Sequence, residues 1–156
     1  MFVGDYVSKL DNKCRVIFPS QLKRQVPEEE QGAAFILKRD VYEKCLVLYT
    51  MSEWNRYTEF LRNKLNPFNR RHALLLRELY RGSAEVYLDN NSRFLIPKAL
   101  LEYIGDEKEL IFAGQEGKVE IWCKTLYIER ALRGEDVEQL TEELLGGDDK
   151  KSEESK

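Results

Sequence analysis

Residues 3–22, VGDYVSKLDNKCRVIFPSQL, return as residues 81–100, RGSAEVYLDNNSRFLIPKAL, at a constant offset of 78. Gly4 matches Gly82, Leu10 matches Leu88, and Asp11-Asn12 matches Asp89-Asn90. Arg15 matches Arg93, Pro19 matches Pro97 and Leu22 matches Leu100. A weaker likeness continues: FILKR at 35–39 parallels LIFAG at 110–114, and LVLYT at 46–50 parallels VEIWC at 119–123. Repetition constrains the fold more than any composition does. A unit of roughly 50 residues has little core of its own, so two such units are expected to pair about a pseudo-twofold axis into one β-rich barrel. Equivalent segments then occupy symmetry-related places.

Each copy has the same local grammar. A strand ends at Leu10 or Leu88. A tight turn follows, DNKC or DNNS, rich in side chains that bond their own backbone. The next strand, RVIF or RFLI, is bulky and β-branched. Pro19 and Pro97 are expected at the first helical position, where a missing N–H costs nothing. The short helix should end near Pro27 in the first copy and at Gly105 in the second. A hairpin closes each copy, with loops at KRDVYEKC and AGQEGK.

Residues 51–80 join the copies and look helical. Thr50 and Glu53 have capping-box spacing, and Trp54, Tyr57, Leu61 and Leu65 share one helix face. Asn66-Pro67 breaks that helix. A second should run from about Asn69 to Tyr80, with Leu74, Leu75 and Leu79 on its apolar side. A last helix is expected near Thr125, and Val137, Leu140, Leu144 and Leu145 suggest a further short amphipathic one. The end, GGDDKKSEESK, has no apolar residue and is expected to be disordered. The expected division is repeat 1 over 5–50, connecting helices over 51–80, repeat 2 over 81–125, and a C-terminal helix with an acidic tail over 126–156. The class is α+β.

The net charge of −3 does not itself suggest nucleic acid. The charge is uneven, however. Residues 133–156 hold nine acids and four bases, whereas residues 1–24 hold five bases (Lys9, Lys13, Arg15, Lys23, Arg24) and two acids. Local charge sets the field at a surface. Cys14, Cys45 and Cys123 are odd in number and widely spaced, and His72 is the one histidine. These assemble neither a disulfide framework nor a zinc site. No Ser-His-Asp or Cys-His pattern can be built either, so no catalytic residue, metal or cofactor is expected. There is no apolar run long enough for a membrane span and no secretory signal at MFVGDYVSKL. The expected address is cytoplasmic, with nucleoid association only on a DNA-binding reading of the residues below.

Asp11 and Arg15 are four apart across a turn, as are Asp89 and Arg93. One reading is structural: the carboxylate accepts turn N–H groups and pairs with the arginine. The other adds the basic company of the first turn. Arginine forks onto phosphate oxygens and onto guanine O6 and N7, and a two-stranded ribbon fits the major groove. On this reading Arg15, Arg93, Lys13, Lys9 and Arg24 bind DNA, while Asp11, Asp89, Asn12 and Asn90 shape the turns. Lys9 and Lys13 become Tyr87 and Asn91 in the second copy, so the first should dominate. The basic stretch NPFNRRH at 66–72 reads as a solvated face.

The chain resembles the MraZ family, whose units are of the SpoVT/AbrB-like swapped-hairpin type. The likeness rests on MFVGDY, LDNKCRVIFP with LDNNSRFLIP, CLVLYTMSEW at 45–54, RGSAE at 81–85 and KVEIW at 118–122. It covers about residues 1–130. The resemblance implies a double-stranded-DNA-binding regulator of the division and cell-wall gene cluster. It implies ring-like homo-oligomers on short tandem repeats upstream of their own operon, with Arg15 and, by the repeat, Arg93 at the DNA. The sequence itself points to no small-molecule ligand. The chain departs from the family pattern just before each arginine, where Cys14 and Ser92 replace a glycine; either strain or another turn type is expected there. The rival from another class is a scaffolding homo-oligomer without specific DNA binding.

Overall fold

The computed structural model describes residues 1–147. The first repeat contributes β1 (Asp5–Lys9), β2 (Arg15–Ile17), α1 (Ser20–Arg24), β3 (Phe35–Arg39) and β4 (Leu46–Thr50). Two helices follow, α2 (Met51–Lys64) and α3 (Arg70–Tyr80). The second repeat contributes β5 (Ala84–Val86), β6 (Arg93–Leu95), α4 (Lys98–Ile104), β7 (Glu109–Gln115) and β8 (Lys118–Cys123). Then come α5 (Lys124–Glu129) and α6 (Gly134–Leu144). The class is α+β, as the sequence suggests.

Among the described residues, six strands form an antiparallel sheet in the order β1-β7-β8-β4-β3-β5, and β2 pairs with β6 as a separate ribbon. The first strand of each repeat leaves its own hairpin for the other's: β1 pairs with β7, and β5 with β3. β4 pairs with β8 across the repeats. The registers share one dyad. In the ribbon Val16 faces Phe94, its own repeat mate. Between β4 and β8, Val47 faces Glu120, again its mate by the weaker alignment. Such self-pairing positions are where a twofold axis must pass.

The ribbon closes one face of the sheet. Val16, Phe18, Phe94 and Ile96 point inward and are buried with Leu37, Leu48, Phe112, Val119 and Ile121. Phe18 lies 5.4 Å from Phe35 and 6.1 Å from Phe112, ring centre to ring centre. Each such side chain removed from water contributes about 1.5–3 kcal/mol. α1 and α4 seal the flanks with Leu22, Leu100, Leu101 and Ile104.

Pro19 and Pro97 sit one position earlier than expected. Their extended ψ values of 132° and 141° make them N-caps rather than first helical residues. Each carbonyl accepts the first intrahelical bond, from Lys23 and Leu101. α1 also stops at Arg24, and a 3₁₀ turn at Glu28–Glu30 begins after Pro27. Glu30 then accepts from the Ser52 N–H and hydroxyl at 2.9 and 2.8 Å, fixing the start of α2. Thr50 caps α2 by accepting from the Glu53 N–H. The second hairpin is tighter than its sequence suggests, since β7 and β8 leave only Glu116-Gly117 between them.

α2 covers part of the sheet's second face. The Tyr49 ring stacks on Tyr57 at 5.4 Å and meets Trp54 at 5.8 Å. Trp54 and Tyr57 are half-buried, while Leu61 is buried. α3 has the expected span, yet none of its residues is buried, and Leu74 and Leu75 stay about half exposed. The basic stretch at 66–72 is a capping device. Asn69 accepts from the Arg71 and His72 N–H groups, and His72 Nδ1 accepts from the Asn66 N–H at 2.9 Å.

A second compact unit begins at Tyr127. Its described part holds α6, on which Val137, Leu140 and Leu144 are all exposed. The tail expected to be disordered lies, from residue 148 on, outside the described residues. No described helix is long and apolar enough to cross a membrane.

Candidate nucleic-acid interface

The two D-N-x-x-R turns have the same geometry. In the first, Asp11 Oδ1 accepts from the Lys13 and Arg15 N–H groups at 2.8 and 2.9 Å, and Oδ2 takes Arg15 Nε at 3.3 Å. In the second, Asp89 Oδ1 accepts from Asn91 and Arg93 at 2.8 and 2.9 Å, and Oδ2 takes Arg93 Nε at 3.1 Å. The arginine N–H above all holds each carboxyl below the usual aspartate range, aided by the Lys13 or Asn91 N–H and the guanidinium charge. A charged acceptor at the start of the turn therefore organises both the backbone and the arginine. Each bond engages Nε, and the terminal guanidinium nitrogens take no part in it.

Each turn is tied to the other repeat. The Phe18 N–H donates to the Ser92 carbonyl at 2.8 Å, and the Ile96 N–H to the Cys14 carbonyl at 2.9 Å. Lys23 Nζ donates to Ser92 Oγ at 2.7 Å, and Lys108 Nζ to Asn12 Oδ1 at 2.7 Å. Neither lysine is legible in the sequence as a turn partner, because both contacts join residues distant in the chain. The repeat alignment marks neither.

Alternation along the ribbon decides what it presents. Val16 and Phe94 face the core, so Arg15, Ile17, Arg93 and Leu95 face away from it. The two arginine side chains are 32% and 29% exposed. Ile17 and Leu95 are 53% and 55% exposed. The dyad thus relates two arginine–aliphatic pairs on one outward surface. Lys13, Asn12 and Asn90 stand exposed at the turn tips, and Arg24 is exposed at the end of α1. Lys9 is placed differently: it ends β1 opposite Glu109, a carboxyl held low chiefly by its bond with Lys124 and also by Lys9.

The family profile described as "MraZ protein, putative antitoxin-like" matches residues 1–78 and again residues 79–144. The chain belongs to the MraZ family. A protein of Christiangramia forsetii named "Transcriptional regulator MraZ" is 39% identical over 149 residues, 94% of each chain. Proteins of the same name from Phocaeicola vulgatus and Clostridium acetobutylicum are each 35% identical, covering 93% and 92% of this chain and 94% and 96% of their own.

The departure from the MraZ pattern before each arginine has a definite outcome. Cys14 and Ser92 keep the left-handed backbone that a glycine would adopt, with φ of +62° and +61°. A side chain in this conformation carries a strain of about 1–2 kcal/mol.

Among the described residues, one group has metal-ligand spacing: Asp40, Cys45 and Glu120 lie within 4.8 Å of one another. Burial first, then the Glu120 and Asp40 charges, push the Cys45 thiol far up. Asp40 Oδ2 already accepts from the Tyr42 and Glu43 N–H groups at 3.0 and 2.9 Å. The Asp40 charge also acts on the buried Lys38 ammonium, which donates to the Arg39 carbonyl and lies 5.3 Å from the Tyr57 ring centre. Through these two bonds Asp40 anchors the bend between β3 and β4.

Proposed function

We propose that this chain is a sequence-specific, double-stranded-DNA-binding transcription regulator. The observation that carries the reading is the pair of aspartate-anchored arginines, related by the dyad, on the outward face of the β2–β6 ribbon. Such a ribbon fits the major groove. Arg15 and Arg93 would read guanine edges, while Lys13 and Arg24 supply the salt-dependent phosphate attraction. Lys9 acts at the margin, since Glu109 screens it. The relatives' name, transcriptional regulator, supports the same function for this chain.

The finer reading follows the family resemblance. The regulator acts at the nucleoid as a ring-like homo-oligomer, on tandem repeats upstream of its own operon in the division and cell-wall gene cluster. Weak single contacts sum there through effective concentration. Bound protein excludes polymerase, so the outcome is repression. The repeats at 5–50 and 81–125 serve as one DNA-reading unit. Exposed Phe60 and Leu74 on the connecting helices, with Phe68 in the turn between them, support self-association.

The test compares wild type with the double variant Arg15→Ala, Arg93→Ala on DNA from upstream of the chain's own gene, over a salt series. The regulator binds with a steep salt slope, and the variant loses on the order of 1–3 kcal/mol per engaged arginine while keeping its oligomeric size. A scaffolding ring without a DNA role binds this fragment no better than random DNA and is indifferent to both substitutions.

A further inference from the structure

We propose that Ile17 and Leu95 are base-reading residues that take thymine C5-methyl groups beside the guanines contacted by Arg15 and Arg93; the inference rests on the DNA-binding reading above. Both are aliphatic and more than half exposed, at equivalent positions of the repeat. Each faces an arginine directly: Leu95 stands across from Arg15, and Ile17 across from Arg93. A lone exposed leucine needs no explanation. A dyad-related pair, set between anchored arginines at the centre of the outward surface, is a different matter.

The bonds from Phe18 to Ser92 and from Ile96 to Cys14 mark the flanking positions as hydrogen-bonded pairs. Alternation then makes Arg15–Leu95 and Ile17–Arg93 the close, non-hydrogen-bonded pairs. Side chains so paired start about 5 Å apart, against a rise of about 3.4 Å per base pair. An arginine and its aliphatic neighbour therefore fall within one or two base pairs of each other. The major groove offers one apolar feature at that depth, the thymine methyl.

Charge favours DNA over a second copy of the chain as the occupant. Two copies meeting through this face would bring four guanidinium groups together near the dyad. The neighbouring carboxylates, Asp11 and Asp89, are already committed to the turns and to the same arginines. A polyanion relieves that repulsion and leaves the aliphatic side chains against the bases.

The experiment measures wild type and the double variant Ile17→Ser, Leu95→Ser on the upstream fragment, made once with thymine and once with deoxyuridine. Exposed positions tolerate serine, and oligomeric size is checked alongside. Wild type should bind the deoxyuridine fragment about threefold to fourfold more weakly for each methyl read. The variant should bind both fragments equally, with oligomeric size unchanged. Wild type that binds the thymine fragment specifically but is indifferent to deoxyuridine overturns this inference alone. A variant that changes oligomeric size and keeps wild-type sensitivity to deoxyuridine overturns it too, and marks the patch as a subunit contact. Wild type that does not distinguish the thymine fragment from random DNA overturns the DNA-binding reading together with this one.

Discussion

Arg15 stands directly across from Leu95 in the β2–β6 ladder, and two residues along Ile17 stands across from Arg93. Between them Val16 and Phe94 point into the core, almost fully buried. One pair of residues therefore roots the ribbon and sets the dyad, and the arginine positions follow from backbone register. Sites on such elements hold their geometry better than sites on loops.

Arginine chemistry at these positions can be separated from charge. Lysine keeps the charge but cannot fork onto two acceptors, nor make the Nε bond to Asp11 or Asp89. The variant Arg15→Lys, Arg93→Lys should keep its salt-dependent attraction to random DNA and lose about tenfold or more of its preference for the upstream fragment. Competition binding with both DNAs measures this. Unchanged preference would show that the arginines act as point charges only.

The turns should respond to acid together. Asp11 and Asp89 are held below the ordinary aspartate value by accepting turn N–H groups. Their stabilisation is full above about pH 3.9, the ordinary value, and is lost as pH falls through the lower folded-state value. The Arg15 and Arg93 amide resonances should stay constant from neutrality to about pH 4 and move only below it. Asp11→Asn should abolish the transition in the first turn alone. A midpoint at or above the ordinary aspartate value would mean that the carboxylates are not so held.

Cys14 has a φ of +62°, in the region where a Cβ crowds the backbone. Glycine relieves that crowding, and a β-branched residue worsens it. Cys14→Val should be less stable than Cys14→Gly by about 1–2 kcal/mol in chemical denaturation. Equal stability of the two would mean that the turn changes type rather than bearing the strain.

Much of this fold is legible from the repeat, and the reason is symmetry. Once Asp11–Arg15 and Asp89–Arg93 are aligned, the two turns must be equivalent, and the self-pairing of Val16 with Phe94 is what a dyad requires. The aligned hairpins likewise place Val47 opposite Glu120. What stays hidden depends on packing between distant segments. Lys38 lies in a strand buried on both faces because α2 brings Tyr57 over it, and FILKR carries no sign of that helix. The leucines of α3 have the period of a core-facing helix, yet period alone does not say what the helix faces. The charges that tie the turns, Lys23 and Lys108, act across 69 and 96 residues, where no local pattern reports them.

The N-terminal residues close on a glycine that the repeat does not flag. Phe2 is buried, and its N–H and carbonyl bond Glu116 at 2.6 and 3.1 Å. Gly114 bonds the Gly4 carbonyl at 2.9 Å, and a Cβ built there would meet the Phe2 carbonyl carbon and the Val3 nitrogen at 2.7 Å. Both atoms are backbone, so they cannot swing aside as a flexible side chain would. Gly114→Ala must push residues 2–4 off β7 and expose the Phe2 ring. The loss should be about 1.5–3 kcal/mol, the value of burying that side chain. Phe2→Ala alone should cost at least as much, through the cavity it leaves. The double variant is the decisive measurement, because the two changes remove the same contact and should not add. Denaturation midpoints near that of the worse single variant would place the N-terminal residues on Gly114 in solution. Strict additivity would mean that the segment docks elsewhere.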